Sequence, residues 1–227
     1  MITRGVVVRV PAKVNLQLSV GPLGDDGFHE VVSVFQAISI FDDVSIRHAP
    51  EDQGILLTAS GSTSHGVPLD NSNLAYRAAE LMISRHGISR DLSIHLKKEI
   101  PVAGGMAGGS ADAAGVIVGL DALFALNLSR DEMENIAAQI GSDVPFSIAG
   151  GIAVGRGRGD QLTPALARGT YHWVVATAGN GLSTPAVYKE CDRLREGLEI
   201  VRPQPSDQLL QALLAADARG VGSAMTN

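Results

Sequence analysis

The residues best suited to chemistry are a run of small ones, Pro101-Val102-Ala103-Gly104-Gly105-Met106-Ala107-Gly108-Gly109-Ser110-Ala111. A backbone without bulky side chains lets a ligand come close. The alternating run Leu92–Lys97 before it reads as a strand, and the apolar run Gly115–Leu126 after it reads as a buried helix. A helix that opens at such a loop presents unpaired N–H groups and the positive end of its dipole, and these attract an anion, most often phosphate. The spacing Gly104-x4-Gly109-Ser110 is that of a P-loop, but Ser110 stands where that motif has Lys. The dinucleotide fingerprint also fails: Met106 occupies its second glycine position, and no acidic residue ends a strand about 20 residues on. The bland alternative is a glycine-rich turn that lets a helix pack closely.

Positive charge for a phosphate must then come from elsewhere in the chain. Lys13 is one source. Period-2 alternation puts Lys13, Asn15 and Gln17 on one face of a strand and Val14, Leu16, Leu18 and Val20 on the other. On that pattern Lys13 is either a solvated residue of a half-exposed strand or the missing cation. Asp143 stands at a loop corner between Gly141 and Pro145; its bland role is the N-cap of a short helix through Phe146-Ser147-Ile148. Phe28 and His29 follow a turn, where an aromatic and an imidazole can stack on and hydrogen-bond a base; the alternative is a loop aromatic that closes over the core. Arg156-Gly157-Arg158-Gly159 either touches phosphate or belongs to an ordinary hairpin.

The elements that must position these residues follow from pattern. Val6–Val10 is β-rich, and Pro11 breaks it. Gly21–Gly27 is a turn, and Val31–Ile40, Val44–Arg47 and Ile55–Thr58 are further strands. Asp70-Asn71-Ser72-Asn73 caps a helix from Leu74 to Arg85, with Leu74, Ala78, Leu81 and Met82 as its apolar positions. Ser129-Arg130-Asp131-Glu132 is a capping box that opens a helix ending at Gly141. A strand enters the basic loop at Gly151, and Tyr171–Thr177 reads as another strand. Ser183-Thr184-Pro185 opens a helix that carries Tyr188, and Ser206–Ala215 is one more amphipathic helix before a glycine-containing tail.

Composition sets the bounds. A chain of 227 residues, 45% apolar, has enough material for one large domain or two small ones with a real core. The net charge is −6, from 18 basic and 24 acidic residues, which argues against a nucleic-acid polymer as partner. Cys191 is the single cysteine, so neither an internal disulfide nor a cysteine zinc site is expected, and a reducing, cytoplasmic setting fits. The six histidines show no paired spacing and suggest no metal site. Met1–Gly5 lacks the apolar core of a signal peptide, and no run of about 18 apolar residues exists to span a membrane.

Three pieces stand together: Pro11-Ala12-Lys13-Val14-Asn15-Leu16, the Pro101–Ala111 loop, and Gly141-Ser142-Asp143-Val144-Pro145. In this order and spacing they resemble the GHMP kinase superfamily of galacto-, homoserine, mevalonate and phosphomevalonate kinases. Gly27-Phe28-His29-Glu30 and the Gly141–Phe146 stretch point within it to the branch that phosphorylates a cytidine diphosphate-linked methylerythritol. The resemblance covers nearly the whole chain. It implies an α+β, two-domain fold: a ribosomal protein S5 domain 2-like ATP-binding domain over 1–160 and an incomplete ferredoxin-like substrate domain over 161–227. It also implies transfer of the γ-phosphoryl of ATP, with Mg2+, to the substrate's 2-hydroxyl, by a protein that is a monomer or weak homodimer. By similarity, Asp143 is the base, and Lys13 beside it holds the carboxylate ionised, as a cation about 4 Å away does. Residues 101–111 wrap the ATP phosphates with Ser110 near the magnesium, and Asn73 lies near the adenine. Asn15 contacts the methylerythritol end, Phe28 and Tyr188 sandwich the cytosine, and His29 bonds its edge.

Two features depart from the family pattern. Phe28 stands where the family usually has Tyr, which keeps stacking and loses a hydroxyl. No late Gly-Ser-Gly motif follows Thr184. The expectation is therefore a truncated chain whose residues beyond about 160 form a partial α+β layer with an unpaired sheet edge and poor stability.

Overall fold

The computed structural model of the protein describes residues 5–25, 27–102, 104–177 and 181–227. Two long strands begin it, β1 (Gly5–Leu23) and β2 (His29–His48), which pair with each other. The chain then folds into two compact units, one of residues 1–13 and 37–150, the other of residues 14–36 and 151–227.

In the first unit, β3 (Ile55–Ser60) lies parallel to β4 (Leu92–Lys97), joined to it through helix α1 (Leu74–His86). The far half of β2 runs antiparallel to β4, with Val44 opposite Leu96 and Ile46 opposite Ile94. All four of these side chains are buried. Helix α2 (Gly108–Phe124) lies over this sheet and is followed by α3 (Arg130–Ala137) and α4 (Val144–Ala149). Its approach is close: a Cβ at Gly115 would come within 2.6 Å of Val44, and one at Gly119 within 2.6 Å of Ile46. Small residues on one side of α2 set the distance from sheet to helix, and Val116, Ile117 and Leu120 fill the space around it.

In the second unit, the near half of β2 pairs antiparallel with β5 (Ile152–Arg156), and β5 makes a hairpin with β6 (Gln161–Pro164). Leu16, Val32, Val34 and Val154 form a core with Leu209 and Leu213 of α6 (Asp207–Leu214) and Val221 and Ala224 of α7 (Ala218–Ala224). Helix α5 (Thr184–Leu194) begins as its Ser-Thr-Pro start predicts, yet buries no residue.

Several sequence expectations are corrected. Pro11 does not break the first strand, because β1 runs through it. The Lys13 N–H, two residues on and so on the same edge, points away from a ladder toward Met106. The N–H that Pro11 lacks would face that same edge, where proline removes no ladder bond. The two β-rich runs at 31–40 and 44–47 are one strand. Helix α1 buries Ala75, Ala78, Ala79 and Met82 but not Leu74 or Leu81, so its inner face is small and close-packed. Helix α3 ends at Ala137, before Gly141. Tyr171–Thr177 is not a strand: no ladder forms there, and Val174 is 99% exposed. β-rich composition needs a neighbouring strand to become a strand. The glycine-containing tail includes α7, whose weak propensity is overcome by the burial of Val221 and Ala224.

Candidate active site

The first unit gathers the glycine loop, Lys13 and Asp143. Pro101 is half-buried; Val102, Gly104, Gly105 and Gly109 are exposed; Ala107, Gly108 and Ser110 are half-buried; Met106 and Ala111 are buried. Ala103 lies outside the described residues. Met106 thus anchors the middle of a loop in which Val102, Gly104, Gly105 and Gly109 are open to solvent. Gly105 has φ of +70° with nothing within 4 Å of where a Cβ would stand, a backbone open on its outer side. Helix α2 starts from Ala107 in the left-handed region (φ 59°), and no side chain caps it. Its first N–H groups have no intrahelical acceptor by geometry and remain for an anion.

Lys13 reaches this place from β1. Its backbone N–H donates to the Met106 carbonyl at 3.2 Å. Its ammonium lies 3.5 Å from Asp143 Oδ2, and the Lys13 side chain is only 9% exposed against 33% for Asp143. The solvated-lysine alternative is therefore excluded. Asp143 does hold the N-cap position of α4, but its side chain makes no cap hydrogen bond. The Asp143 backbone is in the right-handed helical region (φ −86°, ψ −11°) rather than the extended one of a capping residue, and Pro145 removes one of the two N–H groups such a cap serves. Asn73 is buried and caps α1: its Oδ1 accepts from Ala75 N–H at 2.8 Å, and its Nδ2 donates to the Pro68 carbonyl at 2.6 Å.

Sequence reasoning missed a buried ionic group beside the loop. Lys98 Nζ donates to Asp42 Oδ2, to Asp112 Oδ2 at 2.5 Å and to the Gly108 carbonyl at 3.2 Å. Burial pushes the Asp112 carboxyl up to about 7, against the opposing pull of Lys98. The signal available was Asp112 inside an otherwise small and apolar helix start, and Asp42-Asp43 inside a β-rich run.

The second unit holds the aromatic set. His29 and Tyr188 stack with ring centroids 5.4 Å apart and planes tilted by 31°. The His29 ring is fixed at both nitrogens, Nδ1 3.0 Å from the Gly21 carbonyl and Nε2 3.1 Å from Asp192 Oδ1. Phe28 is 53% exposed, with the Arg158 guanidinium 5.2 Å from its ring centroid. Arg158 sits in the β5–β6 hairpin turn, so the basic glycine stretch is a hairpin whose arginine covers an aromatic. Asn15 Nδ2 donates to Ser33 Oγ at 2.6 Å. The sequence does not single out Asp192, and it reads Arg158 as a phosphate contact or a hairpin residue, not as a partner of Phe28.

Among the described residues no cluster of three or more His, Cys, Asp or Glu could hold a metal, and no helix is long and apolar enough to cross a membrane. Magnesium in phosphate sites commonly takes one or two protein oxygens and fills its shell with phosphate and water. The hydroxyl of Ser110, at the start of α2, fits that lean donor set.

Comparison with known proteins agrees with these pieces. Residues 73–151 match the family model described as the GHMP kinases N terminal domain. The chain is 50% identical over 222 residues to the 4-diphosphocytidyl-2-C-methyl-D-erythritol kinase of Streptomyces avermitilis, covering 98% of this chain and 74% of that one. It is 50% identical over 227 residues to the enzyme of the same name from Rhodococcus jostii, covering 100% of this chain and 72% of the relative. A crystal structure of 4-(cytidine 5'-diphospho)-2C-methyl-D-erythritol kinase superposes with a TM-score of 0.69 at 31% identity, over 93% of this chain and 72% of that one. A crystal structure of L. major mevalonate kinase shares the fold, with a TM-score of 0.70 at 16% identity, over 99% of this chain and 74% of that one.

Proposed function

The chain belongs to the 4-diphosphocytidyl-2-C-methyl-D-erythritol kinase family of GHMP kinases, and from that membership we propose that it transfers the γ-phosphoryl of ATP to the 2-hydroxyl of 4-(cytidine 5'-diphospho)-2-C-methyl-D-erythritol, a step toward isoprenoid precursors. The observation that carries the mechanism is the 3.5 Å pairing of Lys13 with Asp143, in the same unit as an uncapped helix start.

Each residue has a part. Asp143 takes the proton of the 2-hydroxyl as the hydroxyl oxygen bonds to the γ-phosphorus and the β–γ bridge breaks. Lys13 neutralises the charge that moves with the phosphoryl group. The loop from Pro101 to Ala111 gives N–H groups to the phosphates, and Ser110 is the side chain that would reach magnesium. That ion, when bound, supplies further neutralisation of phosphate charge. Asn73, its side chain committed to the cap, would meet adenine through its surroundings. In the second unit, Phe28 and Tyr188 stack on cytosine and Asn15 meets the methylerythritol end. His29 bonds the base edge, and a base that uses Nε2 must displace Asp192. Residues 1–160 are assigned the ATP-binding role together with the substrate contacts of Asn15, Phe28 and His29, and 161–227 part of the substrate-binding role. The setting proposed is the cytoplasm.

The test is a coupled ADP-release assay. ADP release that depends on the cytidyl substrate supports the reading. ATP binding without turnover in its presence defeats it and leaves a nucleotide-binding protein.

A further inference from the structure

Three charged side chains, Lys98, Asp42 and Asp112, are each 2% exposed or less, and the phosphoryl chemistry above uses none of them. Buried ion groups of this kind are often no more stabilising than apolar residues of the same size. Their connections show what else they do. Asp42 Oδ1 accepts from the backbone N–H groups of Glu99 at 2.6 Å and Ile100 at 2.9 Å, the last residues before the glycine loop. Its other oxygen takes the Lys98 ammonium. That same ammonium bonds the Gly108 carbonyl and Asp112, both in the first turns of the helix after the loop. Entrance and exit of the loop are thus tied to one nitrogen, while Gly104 and Gly105 between them are exposed and Gly105 touches nothing on its outer side.

We propose that Lys98, held by Asp42 and Asp112, is a positioning residue that fixes the two ends of the glycine loop at the separation its N–H groups need to bind the ATP phosphates. The inference rests on the nucleotide reading of that loop. Apart from Met106, the loop has little side-chain packing of its own to hold a shape, so the glycines before and after it take their geometry from the loop's ends. Loss of the clamp lets the ends drift. Losing one N–H bond to a charged phosphate weakens binding by between about 10- and 100-fold.

The test uses the full chain and ADP with magnesium as the probe, read by titration calorimetry. Lys98→Met removes the clamp. Asp112→Asn is the milder variant, since it leaves the Lys98–Asp42 pair charge-balanced if Lys98→Met does not fold. Gly119→Ala, on the same helix but toward its other end, supplies a destabilised control. The expected result is a loss of ADP affinity by about 10-fold or more in the folded clamp variants, with the KM for ATP raised, that for the cytidyl substrate unchanged and the control still binding. ADP affinity equal to wild type in the clamp variants overturns the clamp, whatever their melting temperatures. Equal loss in the Gly119→Ala control overturns it too, because stability then explains the effect. Wild-type protein that binds no ADP overturns the nucleotide reading itself and the clamp with it.

Discussion

The backbone N–H of Lys13 donates to the carbonyl of Met106 at 3.2 Å, so the strand that carries the ammonium and the loop that awaits the phosphates are joined by main chain. Among the described residues in the middle of that loop, Met106 alone is buried. A cation held this way keeps its place whether or not a ligand is present, which is the preorganisation that charge stabilisation in phosphoryl transfer requires.

Lys13 and Asp143 should therefore separate chemistry from binding. Asp143→Asn is expected to lower kcat by about 10²- to 10⁴-fold, the usual worth of a general base. ADP affinity should stay close to wild type, since the amide keeps the shape of the carboxylate. Lys13→Met should behave alike. The Asp143 side chain is a third exposed and can hydrate when its partner is lost, so folding is expected to survive. Single-turnover kinetics beside calorimetry decide the matter: near-full turnover in Asp143→Asn removes Asp143 as the base.

The aromatic residues should act on the other side of that division. Phe28→Ala and Tyr188→Ala are each expected to raise the KM for the cytidyl substrate, by an amount on the order of one stacked ring, about 1–3 kcal/mol. The KM for ATP should hold. Asp192→Ala frees the His29 ring from its carboxylate partner, and a change in substrate KM there shows that the ring meets the base. If all three variants leave the KM unchanged, cytosine is bound elsewhere.

What the sequence made legible follows from how local each signal is. The Ser129 capping box and the Ser183-Thr184-Pro185 start are written in neighbouring residues, and each helix begins as read. The glycine stretch is followed by a helix as read, but α2 already begins at Gly108 rather than Gly115 and ends at Phe124. Lys13 was legible as a cation but not as a buried one, because alternation along β1 says nothing of what Met106 and Asp143 bring to it. Tyr171–Thr177 failed for the same reason in reverse: its composition is β-rich, but a strand needs a partner that composition cannot supply. Lys98 was hidden beside Lys97 at a strand end, where a pair of lysines reads as a solvated tip. Only the fold brings Asp42 and Asp112 to it.

Helix α2 gives a packing prediction. A Cβ at Gly115 would stand 2.6 Å from Val44 Cγ2 and 3.1 Å from Val10 Cγ2, both on buried side chains with no room to retreat. Gly115→Ala should therefore cost about 1–3 kcal/mol, as overpacking does, despite the gain in helix propensity. An unchanged urea midpoint in that variant means α2 lies farther from the sheet.

Two carboxyl groups of the first unit should give opposite slopes of stability against pH. Glu132 completes the capping box of α3, and its hydrogen bonds from the Ser129 hydroxyl and backbone N–H lower its pKa below the ordinary value. Its contribution is present above the unfolded pKa of about 4.5 and is lost as pH falls through the folded value. Asp112 works the other way. Burial raises it to about 7, so the folded chain holds that proton more tightly than the unfolded one. Its contribution is complete below the unfolded value near 4 and is lost as pH rises through about 7. Glu132→Gln should thus lower the urea midpoint at pH 7, with the deficit shrinking in acid. Asp112→Asn should flatten the fall in stability between about pH 4 and 7. Ser129→Ala, which removes the cap oxygen itself, should cost about 1 kcal/mol at neutral pH. Urea melts of the three variants at a series of pH values test both slopes. If Asp112→Asn follows the wild-type curve throughout, Asp112 does not hold its proton in the folded chain.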